Sequence, residues 1–241
     1  MITKRTPEEI QAVEEAKRMD QLKFEFANAW SALVPAKYQD VNPWKIQPST
    51  KSRLPLEEQA KLYKDIQDHP LEGWAFFSPA GYSKTTCSWA LFRYALQVNL
   101  KRAIWTGRSE YIRRGWGEGS VVHYWNPCYL YHEAVPEWIA KIQASWDENS
   151  KQAPPALSFD KMEKARRDGF TPRVFLEEID KIKEGSEWNT NQLFMLLNAV
   201  DKHKGQLVLD TNLSRRQFLD RFGEPIYRRV KENCNMREYG F

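Results

Sequence analysis

Residues 78–86, with the sequence SPAGYSKTT, could form a loop that binds phosphate. A P-loop reads G-x-x-x-x-G-K-[ST], and its backbone N–H groups and the start of the next helix surround the phosphates. Lys84 and Thr85 occupy its lysine and hydroxyl positions, which reach the β- and γ-phosphates and Mg²⁺. Ser78 and Ser83 replace its glycines, and serine where the loop favours positive φ costs about 1–3 kcal/mol.

Two further segments end in polar residues that could act beside such a loop. Residues 173–182, RVFLEEIDKI, form an apolar strand that ends in Glu177 and Glu178. Acids at the end of such a strand can hold Mg²⁺ and orient an attacking water. An ordinary acidic helix start is the alternative, because acids favour helix N-termini. Residues 206–230 form an apolar strand that ends in Thr211 and Asn212, followed by two helices separated by a turn at residues 223–225.

The elements around these motifs alternate between apolar strands and helices. This pattern predicts an α/β fold with a parallel sheet and helices on both faces. The predicted strands are residues 74–77, 102–106, 121–125, 173–176 and 206–210. The predicted helices are residues 7–33, 56–67, 85–98 and 191–202, and loops are expected at residues 34–55 and 145–161.

The N-terminal segment is expected to be separate from the α/β core. Thr6 is a candidate N-cap, and Pro7 suits the first position of a helix. The sequence therefore predicts an N-terminal helix and Pro-rich connector over residues 1–55, and a nucleotide-binding core over residues 56–241. The helix either packs on the core, which we favour, or docks a partner.

The order of these segments resembles the AAA+ ATPases of the DnaC/IstB type, which are bacterial helicase loaders and transposition helper ATPases. The similarity lies in the P-loop and in LEEID, TNLS and FGEPIYRRV, at residues 176–180, 211–214 and 222–230. The upstream LVPAKYQDVNPW, residues 33–44, is similar to the segment that leads into their core. The resemblance implies a three-layer P-loop NTPase core with a parallel sheet, and no large lid domain.

The same resemblance implies ATP and Mg²⁺ as cofactors and assigns a role to each matching residue. Thr85 and Glu177 would hold Mg²⁺, Glu178 would orient the attacking water, and Asn212 would contact the γ-phosphate or that water. Arg229 would be the arginine finger, acting on ATP bound by a neighbouring subunit. The loop that binds the nucleotide would consist of Pro79, Ala80, Gly81, Tyr82, Ser83, Lys84, Thr85 and Thr86.

The departures from the family pattern predict weak or assembly-dependent ATP hydrolysis. Serines stand at two glycine positions, and Glu177 stands where the family has aspartate. An arginine finger supplied by a neighbour implies a homo-oligomer, as a ring or a helical filament. The expected partners are DNA and a replicative helicase or a transposase. The alternatives are a non-hydrolysing adaptor with an NTPase fold and a plain DNA-binding module.

A basic cluster could bind DNA. Cations interleaved with aromatic residues are typical of surfaces that bind single strands, although a solvated surface is the alternative. Trp105, Tyr111 and Trp116 lie among these cations. The candidate residues are Lys101, Arg102, Arg108, Arg113 and Arg114.

The composition agrees with a globular protein and excludes other classes. The chain has 241 residues, 41% of them hydrophobic, and a net charge of +4, which permits DNA binding without requiring it. No apolar run approaches the roughly 18 residues of a membrane-spanning helix, and the N-terminus lacks a secretory signal. Three widely spaced cysteines indicate the cytoplasm rather than a disulfide framework. His132 is interpreted as a packing residue rather than a metal ligand.

Overall fold

The computed structural model describes residues 6–107, 129–145 and 157–241. Its five strands form one parallel sheet in the order β2-β3-β4-β1-β5. The strands are β1 (Trp74–Phe77), β2 (Leu130–Ala134), β3 (Arg173–Glu177), β4 (Gln206–Thr211) and β5 (Asn235–Glu238). The α-helices of the described parts are α1 (Pro7–Leu33), α2 (Leu56–Asp68), α3 (Lys84–Trp105), α4 (Val135–Ala144), α5 (Phe159–Arg167), α6 (Glu187–Lys202) and α7 (Arg215–Asn233).

Helices cover both faces of the sheet. Phe175 of β3 pairs with Val208 of β4, so their side chains share one face, and Phe92 of α3 packs 5.1 Å from Phe175. Phe77 of β1 points to the opposite face, because its register partner Thr211 is three residues beyond Val208. There the ring of Phe218 from α7 lies 5.4 Å from Phe77. The predicted three-layer α/β architecture is therefore confirmed.

The strands β1, β3 and β4 read as apolar runs because the sheet is covered on both sides. All residues of β1 and β4 are buried, as are the first four of β3. This burial confirms the strands predicted at residues 74–77, 173–176 and 206–210. Asp210 is a buried acid within β4, with 5% of its surface exposed.

The N-terminal helix begins and ends at the predicted residues. Thr6 forms a capping box with Glu9, which fixes the start of α1. Near its other end, Trp30 is buried and its indole nitrogen donates to the Gln39 carbonyl at 2.7 Å. The Arg93 guanidinium of α3 lies 4.7 Å from the centroid of the Trp30 ring. The C-terminal part of α1 thus packs on the core, and a domain boundary at residue 55 stays a prediction.

One predicted strand is wrong. Residues 102–105 continue the predicted helix, so that α3 runs from Lys84 to Trp105 and Thr106 is its C-cap. Leu96, Leu100 and Ala103 are all fully buried, and their spacing of three to four residues extends one helical face to the end of α3. The strand predicted at 121–125 lies outside the described residues.

Two strands, β2 and β5, and two α-helices, α4 and α5, were not predicted from the sequence. The strand β2 contains His132 and Glu133, and β5 is a polar edge strand, so neither has the apolar run of the other three. The loop expected at 145–161 is interrupted by α5, whose start is capped by Ser158, while residues 146–156 lie outside the described parts.

No described helix has the length and apolar character needed to cross a membrane. The described residues contain no separate helical lid after β4, only α7 and β5.

Candidate nucleotide-binding site

A cavity of about 620 Å³ lies at the carboxyl ends of β1, β3 and β4. Ligand sites of open α/β sheets occupy this edge, and this volume is typical of small-molecule sites. The cavity brings together residues from the P-loop, from the turn after β3, from the end of β4 and from the connector before α2. The lining residues are Tyr38, Ile46, Gln47, Ser49, Lys51, Ser52, Tyr63, Ala80, Gly81, Tyr82, Ser83, Lys84, Thr85, Thr86, Glu178, Lys181, Asp210 and Asn212.

The P-loop turns sharply between β1 and α3. Gly81 has φ 91° and Ser83 has φ 64° and ψ 14°, so the serine adopts the left-handed conformation that favours glycine. The strain predicted from the sequence therefore applies to Ser83. It does not apply to Ser78, which lies outside the positive-φ region. The Gly81 carbonyl accepts from the Arg53 backbone N–H at 2.8 Å, which ties the loop to the connector.

Lys84 is the first residue of α3 and points back across the loop. Its ammonium group donates to the carbonyls of Ser78 and Pro79, at 2.5 and 2.9 Å, and to the amide oxygen of Asn212 at 3.0 Å. Burial lowers the pKa of Lys84, and the nearby Asp210 and Asp180 oppose that change. The lysine is thus held by exchangeable oxygen acceptors at the place where a phosphate would supply others. Pro79, which was predicted to belong to the nucleotide-binding loop, accepts from Lys84 through its carbonyl but does not line the cavity.

The turn after β3 presents two acids in different roles. Glu178 has φ 59°, an unusual conformation for a non-glycine residue, and its carboxylate contacts the Lys181 ammonium. Asp180 accepts from the backbone N–H and the side-chain amide of Asn212, both at 2.9 Å. Glu178 and Asn212 both line the cavity, and Asp180 fixes the orientation of Asn212. The catalytic roles of Glu178 and Asn212 stay predictions.

Glu177 ends β3 but does not line the cavity. Its Oε1 atom lies 3.5 Å from Nε2 of His132, whose ring stacks 3.9 Å from the Trp89 ring. Burial raises the pKa of Glu177 to about 7, helped by Asp210 and Glu178, and burial lowers the pKa of His132 to about 3. The role of Glu177 as an Mg²⁺ ligand stays a prediction.

Sequence reasoning missed Asp210, which lines the cavity from β4. Its Oδ1 atom accepts from the Glu178 backbone N–H at 3.2 Å, whereas its buried Oδ2 atom has no hydrogen-bond partner within the described parts of the chain. Burial raises the pKa of Asp210 to about 6, although the Glu178 N–H and Lys84 oppose that rise. The sequence did carry one indication of this residue, because Asp210 is an acid that directly follows the apolar residues of β4.

The donor set at this edge fits Mg²⁺ bound together with a nucleotide. The described residues contain no cluster of three or more His, Cys, Asp or Glu side chains that could hold a metal ion alone. Such a cluster is not needed, because Mg²⁺ uses one or two protein oxygens with phosphates and waters. The Thr85 hydroxyl and the unpartnered carboxylate oxygen of Asp210 offer oxygens of this kind.

The other predicted site residues lie away from the cavity. Arg229 donates to Asn198 at 2.7 Å and pairs with Asp201 and Glu232 at 3.1 and 3.2 Å. Lys101 lies 5.4 Å above the Trp105 ring, and the Arg102 guanidinium lies 5.6 Å from the Phe170 ring. Both cations are exposed. The remaining DNA-binding candidates, at 108, 113 and 114, lie outside the described residues.

Comparison with known proteins identifies the fold. Neither a family model nor a curated protein sequence matches the chain. The crystal structure of the DnaC helicase loader matches with a TM-score of 0.51 and 15% identity, over 84% of this chain and 98% of that one. Domain III of the Thermotoga maritima replication initiation protein DnaA matches with a TM-score of 0.51 and 10% identity, over 83% of this chain and 67% of that one.

A nucleotide-bound protein has a similar fold. AMPPCP-bound DnaA from Aquifex aeolicus matches with a TM-score of 0.50 and 11% identity, over 86% of this chain and 51% of that one. At these identities the likeness to the solved structures establishes the fold alone. The chain has the fold of the DnaC helicase loader and of domain III of DnaA, as the resemblance in its sequence predicted.

Proposed function

We propose that the chain binds ATP with Mg²⁺ in the cavity, assembles in response, and loads or activates a partner in DNA replication. The observation that carries the proposal is the convergence of Lys84, Glu178 and Asn212, from three separate segments, on one cavity at the start of α3. A lysine, an acid and a polar amide around a helix N-terminus suit binding and hydrolysis of a nucleoside triphosphate.

Phosphate binding would use the loop and the start of α3. Backbone N–H groups there point toward an anion, and the positive end of the helix dipole favours it. Lys84 would exchange its carbonyl acceptors for phosphate oxygens. Tyr38, Ile46 and Gln47 also line the cavity and offer apolar surface and an amide, which suits a nucleotide base.

Hydrolysis would transfer the γ-phosphoryl group to water. Glu178 would orient that water, and Asn212, held by Asp180, would contact the phosphate or the water. Thr85 and an acid at the edge of β3 and β4 would hold Mg²⁺, which neutralises phosphate charge when bound. The Glu178 contact with Lys181 and the strained Ser83 agree with slow turnover.

Arg229 would complete the site of a neighbouring subunit, so that activity depends on assembly. We propose a homo-oligomer, a ring or a helical filament, that contacts DNA through the basic surface at Lys101 and Arg102. The partner would be a replicative helicase, or a transposase. The DnaC neighbour is itself described as a helicase loader. The second candidate is a non-hydrolysing adaptor, which the occupied Glu178 carboxylate favours.

Titration with a fluorescent ATP analogue in Mg²⁺ tests nucleotide binding. For the unaltered protein we expect a micromolar dissociation constant, which corresponds to a binding free energy of about −8 kcal/mol. Lys84→Ala should abolish this binding, and Lys101→Ala, at the exposed far end of the same helix, should preserve it. Absence of binding to the unaltered protein, or equal binding by Lys84→Ala, would contradict the proposal.

The dependence of assembly on ATP distinguishes the two candidate functions. Sedimentation of the protein with ATP, with ADP and without nucleotide measures whether ATP drives oligomer formation, and added single-stranded DNA tests the DNA contact. The ATPase interpretation predicts assembly that depends on ATP and is lost in Lys84→Ala. Unchanged assembly and partner binding in Lys84→Ala would favour the adaptor.

A further inference from the structure

Two carboxylates lie side by side under the start of α3. Leu176 of β3 pairs with Leu209 of β4, so the next residues, Glu177 and Asp210, are neighbours on one face of the sheet. This is the face that α3 covers, because Phe175 shares it with both acids and contacts α3. A P-loop site needs a carboxylate near its hydroxyl residue. The register offers two candidates, of which the sequence pattern indicates Glu177.

The structure orients Glu177 away from the cavity. Its Oε1 atom and the Nε2 atom of His132 face each other at 3.5 Å, and neither has a hydrogen-bond partner within the described parts. Trp89 and Phe92 pack against the His132 ring and hold it in place. The longer side chain of glutamate, compared with aspartate, thus ends beside a buried ring on β2.

Asp210 has an unsatisfied carboxylate oxygen and lines the cavity, whereas the unsatisfied oxygen of Glu177 belongs to a residue that does not line it. Asp210 lines the cavity together with Lys84 and Thr85, and its side chain is 5% exposed. The Glu178 N–H occupies Oδ1, and Oδ2 is buried without a partner in the described residues. A buried carboxylate oxygen without a partner is costly, and a cation or one of its bound waters would satisfy it.

We infer that Asp210, and not Glu177, is the carboxylate through which this protein binds the Mg²⁺ of Mg²⁺·ATP, directly or through one of the ion's water ligands. The inference rests on the proposed function, because it concerns the same site. It means that the metal-binding acid has moved from the end of β3 to the adjacent strand, while Glu178 keeps its place beside the cavity.

The Mg²⁺ dependence of nucleotide affinity tests this assignment without measuring turnover. Affinity for the fluorescent ATP analogue is measured in Mg²⁺ and in EDTA for the unaltered protein, Asp210→Asn and Glu177→Gln. The ratio of the two affinities is an internal measure for each protein, so a change in stability does not imitate it. We expect the unaltered protein and Glu177→Gln to bind at least roughly tenfold more tightly in Mg²⁺, and Asp210→Asn to lose that gain while binding in EDTA as before.

A change of metal provides a second test that a misfolded variant would not pass. In Asp210→Cys the thiolate should select the soft ion Cd²⁺ over Mg²⁺. We expect Asp210→Cys to show the metal-dependent gain in Cd²⁺ and not in Mg²⁺, whereas the matched Glu177→Cys should keep the gain in Mg²⁺, as the unaltered protein does. Restored binding would itself show that the variant is folded.

The outcomes separate this inference from the proposed function. Loss of the Mg²⁺ gain in Glu177→Gln, in both variants equally, or in neither would overturn the assignment to Asp210 and leave nucleotide binding intact. No binding by the unaltered protein in Mg²⁺ or EDTA would overturn both. Loss in Asp210→Asn alone, with rescue by Cd²⁺ in Asp210→Cys, would support the inference.

Discussion

The ammonium group of Lys84 lies 3.0 Å from the amide oxygen of Asn212, although 128 residues separate them in the chain. The amide nitrogen of Asn212 donates to the Asp180 carboxylate on the other side at 2.9 Å. A carboxylate accepts hydrogen bonds and an ammonium group donates them, so the two neighbours fix the orientation of the amide. Asn212 therefore links the acidic turn after β3 to the lysine of the P-loop.

Removal of this link should weaken nucleotide binding. Asn212→Ala deletes one of the three acceptors of Lys84 and removes the side-chain amide that donates to Asp180. The loss of a hydrogen bond to a charged group at an exposed position should cost about 1–2 kcal/mol, or roughly five- to thirtyfold in ATP affinity. Titration with the fluorescent analogue measures it.

Asn235→Ala is the matched control. Asn235 begins β5, at the amino ends of the strands and away from the cavity, and its side chain donates to Glu72. The variant should bind ATP like the unaltered protein. Unchanged affinity in Asn212→Ala would show that Lys84 finds its place without this partner.

Ser83→Gly should stabilise the protein. Ser83 adopts a left-handed conformation with φ 64°, which is strained for any residue with a Cβ atom. Relief of that strain, less the greater chain entropy of glycine, should raise the free energy of unfolding by about 1 kcal/mol. Urea denaturation provides the measurement.

Ser78→Gly is the control for this change, since Ser78 has no positive φ to relieve. Glycine there adds chain entropy to the unfolded state, so the variant should be less stable by about 0.5–1 kcal/mol. Equal effects of the two substitutions would contradict the strain argument.

The sequence allowed prediction of those parts of the fold that local chemistry determines. The capping residue Thr6 fixes the start of α1, and the apolar run of β1 followed by small residues fixes the strand and the loop. Glu178 and Asn212 follow such strands directly, and Lys84 follows β1 after the P-loop, so their convergence on one edge follows from a parallel sheet. For this reason most of the candidate site could be predicted.

The remaining features depend on contacts between distant segments. The polar strand β5 forms because it pairs with the open edge of β1. No local sequence pattern in β5 indicates this pairing. The position of Asp210 beside Glu177 depends on the register of β3 against β4, which burial of the whole sheet sets. The orientation of Glu177 depends on His132, in a strand that the sequence did not predict.

Mixed assemblies should reveal whether Arg229 acts on a neighbour's nucleotide. In the described chain Arg229 is held by Asn198 and Asp201 of α6, so a role between subunits requires it to exchange these partners. Lys84→Ala and Arg229→Ala should each lack ATP hydrolysis alone, and their mixture should recover part of it. Steady-state phosphate release measures this recovery.

Arg228→Ala controls for the loss of a neighbouring charge, because Arg228 is more exposed and contacts Glu232 at 3.8 Å. It should hydrolyse ATP like the unaltered protein. A mixture as inactive as its two components would exclude the arrangement between subunits.

Glu177 should make the protein less stable as the pH rises toward 8. Burial raises its pKa to about 7 in the folded chain, from 4.5. Between these values the folded state keeps a proton that the unfolded state releases, so the folded state loses stability as pH increases. Compared with Glu177→Gln, the unaltered protein should lose up to roughly 3 kcal/mol between pH 5 and 8. Urea denaturation across this range, in EDTA to exclude metal effects, checks the difference. Glu178→Gln removes a charge that helps to raise the pKa of Glu177, so this variant should lose less stability than the unaltered protein. Parallel curves for the unaltered protein and Glu177→Gln would show that the Glu177 carboxyl titrates alike in both states.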